Sequence, residues 1–337
     1  MDHLLLRDYQ PVNVNNIPET LVEKAKYPVI DMHSHDYAAN EAEIDEWVRT
    51  MDACNIEITN VMHCSWIGDD FETMLQKYSK HADRFRFWCC FDYTDIMANG
   101  DAESALAYLE KCREMGAVGV GELGDKGDGD LYARPVEGRG IHLDDPRIQP
   151  LLKRCGELKM PINIHIAEPY WMFLPLDEHN DGLPNGANWA IDTTKTDLGY
   201  WGLIHSFENA VRENPQTIFI ACHYLNMTQD YPYLSALMDK YPNVYVDMGA
   251  RVAESAQTPR ATTDFIMKYQ DRVLFGTDNG MSADMYHLYF RTLETNDEHF
   301  FAPGCGYIWH LSAFNLPDEV LEKVYRTNAL RIFNEYK

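Results

Sequence analysis

The sequence predicts a single α/β barrel in which eight parallel strands alternate with eight helices, the (β/α)8 or TIM-barrel arrangement. Three observations lead there. Eight short apolar runs recur along the 337 residues, amphipathic stretches of helical period separate them, and side chains able to bind metal fall singly at the carboxyl ends of the runs.

Taken in order, residues 1–27 carry Pro11, Pro18 and a short helical pattern in ETLVEKAK, and read as an extension packed on the barrel. Residues 28–337 read as one catalytic domain. Its strands are expected at PVIDMH, EITNVMHC, RFRFWCCFD, AVGVGEL, PINIHIA, TIFIACH, NVYVDMG and RVLFGTD. Helices are expected at EIDEWVRTMDACN, DAESALAYLEKCREMG and IQPLLKRCGELKM, the last two stopped by Gly116 and by Pro161. Strand alternation then assigns faces. With His165 inward, Ile162, Ile164 and Ile166 point outward; with His223 inward, Ile218 and Ile220 do; with Asp278 inward, Val273 and Phe275 do. Two insertions follow strands five and eight. The first, across 168–207, is long and aromatic, with Tyr170, Trp171, Trp189, Tyr200 and Trp201, and reads as a wall or lid. The second, ETNDEHFFAPGCGYIW, is expected on the same face, closing that wall or joining two subunits of a homo-oligomer.

Composition excludes several function classes. A formal charge of -24 repels phosphate backbones and anionic membranes, so neither nucleic acid nor a membrane is an expected partner. No apolar run approaches the roughly 18 residues needed to span a bilayer, and the LLL near Met1 is too brief for a secretory core. Eight cysteines stand at irregular positions without a CxxC, several inside predicted strands (Cys64, Cys89, Cys90, Cys222). They behave as small buried hydrophobes in a reducing compartment, and the protein is read as soluble and cytoplasmic.

His33 and His35 lie two apart on the first strand, so both imidazoles face one way and can reach one ion. His165, His223 and Asp278 arrive from three further strand ends. Nitrogen and oxygen donors delivered singly from separate strands make an incomplete shell, the kind that leaves a catalytic ion an open position, whereas structural zinc sites cluster cysteines. A bound divalent ion lowers the pKa of water to about 7 and a neighbouring carboxylate accepts the proton.

These motifs resemble the amidohydrolase superfamily, and within it the branch of metal-dependent hydrolases that includes aminocarboxymuconate semialdehyde decarboxylase. The resemblance covers most of the chain and rests on DMHSHD, INIHIAEP, FIACHYLN, FGTD and the tail NALRIF, in that order. The stretches KAKYPVIDMHSHD, HIAEPYWMFLPLDEHN, YPNVYVDMGAR and RTLETNDEHF further resemble a bacterial subgroup of TIM-barrel hydrolases. By position, the resemblance implies that His33, His35 and His165 are metal ligands, that Asp278 is a ligand or the general base, and that His223 orients water or substrate or is a further ligand. Glu122 in GVGELGDKGD lies where some superfamily members bridge two metals. TatD-type deoxyribonucleases carry a GEIGLD-like segment there, from which Asp125 and Lys126 depart, so Glu122 is read as a ligand, a partner of Lys126 or a support for the ligands. The donors suit Zn2+, with Mn2+ or another first-row ion as alternatives; one ion is the simpler reading and two have room.

For the substrate, Arg251 at the end of the seventh strand can grip a carboxylate with two hydrogen bonds, against the plainer reading of an ion pair with Glu254. Tyr170, Trp171 and Lys126 are the other candidate contacts. Three functions fit this pattern: hydrolysis of an ester, lactone or amide in a small, polar, carboxylate-bearing molecule; non-oxidative decarboxylation of a carboxylated molecule; and metal-retaining binding without turnover. Hydrolysis is preferred because it asks only for activated water and a base, while decarboxylation also needs an electron-accepting substrate.

Overall fold

The computed structural model describes residues 4–5, 8–62, 70–127, 130–131, 138–183, 190–194, 198–302 and 308–335. Eight parallel strands run β1 (Val29–His35), β2 (Ile56–Met62), β3 (Phe85–Cys89), β4 (Gly119–Asp125), β5 (Ile162–Ile166), β6 (Phe219–Ala221), β7 (Val244–Asp247) and β8 (Val273–Leu274). Each pairs with its sequence neighbour. Closure between β8 and β1 comes from the Met32 N–H donating to the Phe275 carbonyl (2.9 Å) and from the Thr277 and Asp278 N–H groups donating to the His33 carbonyl (3.2 and 2.9 Å). The connecting helices include α1 (Glu41–Cys54), which shows why the local sequence folds as it does. Asn40 caps it by accepting from the Glu43 N–H, Ile44, Trp47, Val48, Met51 and Cys54 form its buried face, and Asn55 ends it at φ 68°.

Alternation assigns β5 and β8 correctly: Ile162, Ile164, Ile166, Val273 and Phe275 all join the layer between sheet and helices. On β6 it fails. Ile218 and Ile220 face the barrel interior, together with Ile30, Met32, Met62, Trp88 and Leu274. The reason is local: His223, Tyr224, Leu225 and Asn226 all take left-handed φ between 50° and 61°, so the two-residue alternation stops before His223 is reached. The interior therefore receives both Cys222, in phase with Ile220, and His223.

Ala329, Ile332 and Phe333, on the helix Asn328–Glu335, plug the amino-terminal mouth of the barrel. Buried polar groups also line the sheet. Asp31, fully buried, accepts from the Thr277 hydroxyl (2.7 Å) and N–H (3.1 Å), and Trp88 donates to Asn60 (2.9 Å).

The segment ETLVEKAK is not helical. Its backbone is committed elsewhere: Thr20 donates its N–H and hydroxyl to Asp297 (2.6 and 2.8 Å), and Ala25 donates to the Cys54 carbonyl (3.2 Å). No helix among the described residues is long and apolar enough to cross a membrane. The described cysteines Cys54, Cys89, Cys90, Cys112, Cys155 and Cys222 are buried and free of disulfides.

Candidate metal centre

Six of the predicted side chains meet at the carboxyl end of the barrel. His33 is packed from below by two glycines: a Cβ on Gly249 would stand 2.9 Å from its Nδ1, and one on Gly276 2.7 Å from its Cβ. Only bare backbone leaves room for the ring there. His33 donates Nδ1–H to Asp247 (2.9 Å), which leaves its Nε2 facing Glu122 (3.6 Å) and Asp278 (3.8 Å). His223 repeats the device from β6, donating Nδ1–H to the Gly249 carbonyl (2.6 Å) and turning its Nε2 toward Glu122 (3.2 Å) and the Nδ1 of His165 (2.9 Å). His35 approaches Asp278 (3.1 Å) and Glu122 (3.4 Å) through Nε2. His165 donates to Glu122 (3.0 Å).

Two donor groups emerge among the described residues. His33, His35 and Asp278 offer one atom each within 4.8 Å of one another, and so do His33, Glu122, Cys222 and His223. Both share His33. Its Nε2 and that of His165 are buried with no hydrogen-bond partner, a state that costs about 1–3 kcal/mol per group unless something else satisfies it. A divalent cation does so. The protons held at Nδ1 of His33 and His223 fix the tautomer whose Nε2 lone pair faces the centre, as the outer contacts of metal-bound histidines do. The residues present therefore fit a divalent ion.

Electrostatics agree with that fit. Burial works against charge on His33, and Asp247, Asp278 and Glu122 outweigh it, holding its pKa well above the ordinary value. His35 is pushed up to about 9, burial again being overcome by Asp278 and Glu122. Burial and the neighbouring His165 and Arg251 pull His223 down to about 4, so it is neutral. Asp278 is held below the usual carboxylate range, because His33 and His35 overcome its burial. Three carboxylates crowd a few ångströms of buried space, and positive charge is what makes them tolerable there.

Asp247 went unnoticed in the sequence, although an acid at the end of the apolar run VYVD meets the criterion that singled out Asp278. Fully buried, it accepts from His33, from Asn163 (3.1 Å), and from the His223 and Gly249 N–H groups (3.0 Å each). Glu168 was also missed. It accepts from Lys126 (2.9 Å) and Arg251 (2.9 Å) and lies 3.4 Å from the Nε2 of His165. Lys126 therefore pairs with Glu168, and Arg251 is buried, not at the surface, against Glu168 and Asn226 (2.6 Å).

In the β5 insertion, aromatic rings pack on one another: Tyr170 on Tyr200 (5.0 Å), Tyr200 on Trp201 (5.3 Å) and Trp171 on Trp309 of the second insertion (6.2 Å). Tyr170, Trp171 and Trp309 line a cavity of about 160 Å³ with Thr228 and Glu254. Trp189, His63 and Cys64 lie outside the described residues.

The histidines and carboxylates at the carboxyl end of this TIM barrel form a candidate metal centre. Comparison makes this specific. The Amidohydrolase family model matches residues 30–334, and the chain belongs to that family, within the amidohydrolase superfamily. No curated protein matches the chain. Among solved structures, the fold is similar to that of an uncharacterized TIM-barrel protein from Bordetella bronchiseptica (TM-score 0.58, 16% identity, 92% of this chain and 99% of that one). It is similar also to 2,6-dihydroxybenzoate decarboxylase complexed with 2,6-dihydroxybenzoate (0.57, 18%, 93% and 100%). A third likeness is to a probable 2-pyrone-4,6-dicarboxylic acid hydrolase from Acinetobacter baumannii with citric acid bound (0.50, 12%, 91% and 99%).

Proposed function

We propose that this protein is a metal-dependent hydrolase acting on an ester, lactone or amide bond of a small, polar, carboxylate-bearing molecule. The observation that carries the reading is the pair of pinned imidazoles, His33 and His223, whose Nε2 atoms converge with Glu122 and Asp278 while their Nδ1 protons are engaged by Asp247 and Gly249. His33, His35, His165 and Asp278 hold the ion, Zn2+ in this reading, with Glu122 as a further donor. When bound, that ion polarises a substrate carbonyl and acidifies water.

Asp278 is the proton acceptor. Its Oδ1 receives the Tyr37 hydroxyl (3.2 Å), and its Oδ2 lies 3.9 Å from His223 Nε2, so an accepted proton has a neutral imidazole beside it. Lys126, partly exposed, is the cation placed to meet a substrate carboxylate; Arg251 orders Glu168 and the start of the β5 insertion. The cavity lined by Tyr170 and Trp171 would take the rest of a ring-bearing substrate.

Decarboxylation remains the second reading because Lys126 and Arg251 both reach Glu168 beside His165, so two cations border the place where a substrate carboxylate would bind. Metal analysis of the purified protein, paired with a screen of lactones, esters, amides and aromatic carboxylic acids, separates the two. Alcohol, amine or ring-opened product supports hydrolysis, carbon dioxide release supports the second reading, and a folded protein that takes up no divalent ion defeats both.

A further inference from the structure

Cys222 is fully buried, and its thiol takes no part in the function proposed above. It follows β6 in phase with the inward Ile218 and Ile220, and its sulfur meets the centre. The next residue, His223, is turned inward as well by its left-handed backbone (φ 61°). Two consecutive side chains thus enter the same space, which an extended strand forbids. The Cys222 Sγ lies within 4.8 Å of the donor atoms of His33, Glu122 and His223. His33, a member of that group, also carries a buried Nε2 with no hydrogen-bond partner.

Resting on the metal-centre reading, we infer that Cys222 is a sulfur donor on the deep side of this centre, and that it biases the site toward thiophilic ions, Zn2+, Co2+ or Cd2+, over Mn2+ and Mg2+. Ligation replaces the S–H bond with a metal–sulfur bond and releases one proton to solvent. The competing use of the thiol is the contact it makes now, donating to Asn163 Oδ1 (2.7 Å). Asn163 also donates to Asp247, so releasing Cys222 leaves that amide anchored. A thiolate costs the site one further negative charge among Glu122, Asp247 and Asp278. Only a divalent ion at the shared donors offsets it.

X-ray absorption of the zinc-loaded full chain tests this without any substrate. The expected result is a first shell containing sulfur at about 2.3 Å in addition to nitrogen and oxygen. The Co2+-loaded protein should show a sulfur-to-metal charge-transfer band in the near ultraviolet. Cys222→Ser should lose both signatures and lower the preference for Zn2+ over Mn2+ about tenfold or more. A zinc shell of nitrogen and oxygen alone in the wild type overturns the inference and leaves the metal-centre reading standing, since ion is bound. Failure to bind any ion overturns that reading too. A Cys222→Ala variant covers the case in which the serine hydroxyl itself ligates.

Discussion

The two ends of the barrel interior are built from the same eight strands and solve opposite problems. At the amino-terminal end Ile30, Met32, Ile218, Ile220 and Leu274 close over Ile332 and Phe333, and stability there depends on filled volume. At the carboxyl end four imidazoles and three carboxylates occupy a comparable space, and stability depends on charge balance and on where each proton sits. Beside them Asp31 ties β1 to the segment after β8, accepting from the Thr277 hydroxyl and from the His33 N–H. A single strand such as β1 therefore serves packing at Ile30 and chemistry at His33 and His35, and the register shift between Asp31 and Ser34 is where it changes over.

That contrast can be broken from either side. Asp278→Asn keeps the shape and removes the basicity, so turnover should fall about 100-fold to 10,000-fold while thermal unfolding hardly moves. Metal occupancy must be read on the same sample, because loss of both together would make Asp278 only a ligand. Near-normal turnover would transfer the base to His223. Since the carboxyl of Asp278 is held low, it stays ionised through neutral pH, and the rate should decline only as pH falls below its ordinary range near 4. An acid limb centred well above that value assigns the titration elsewhere.

Phe333→Ala should cost about 3–5 kcal/mol of unfolding free energy by chemical denaturation and leave metal stoichiometry intact. If it released metal, the two ends would be coupled. His33→Ala and His165→Ala should show the reverse pattern, a strong loss of bound metal measured by elemental analysis. Full metal in both variants would remove these residues from the ligand set. Asp247→Asn retains a hydrogen-bond acceptor for His33 and loses the charge. Metal affinity should drop by about 10–100-fold in a chelator competition, and an unchanged affinity would reduce Asp247 to a packing group. The smallest effect concerns the acidic surface: the protein should not retain DNA at physiological ionic strength, as a gel-shift titration would show.

Much of this was legible in the residues. The order of eight apolar runs determined the barrel, the single histidines and acid at their ends marked which face carries the centre, and the alternation on β5 and β8 gave their outward sides. These features are local, written in spacing and in side-chain type. What the tertiary structure decided is non-local or depends on backbone sign. Asp247 matters because it meets His33 from 214 residues away. Glu168 captures Arg251 from 83 residues away and so engages the cation that the sequence offered to a substrate. Cys222 and His223 enter together because four consecutive residues adopt left-handed φ without a glycine among them, a conformation that L-residues reach only under the constraint of surrounding packing and that no residue type announces in advance.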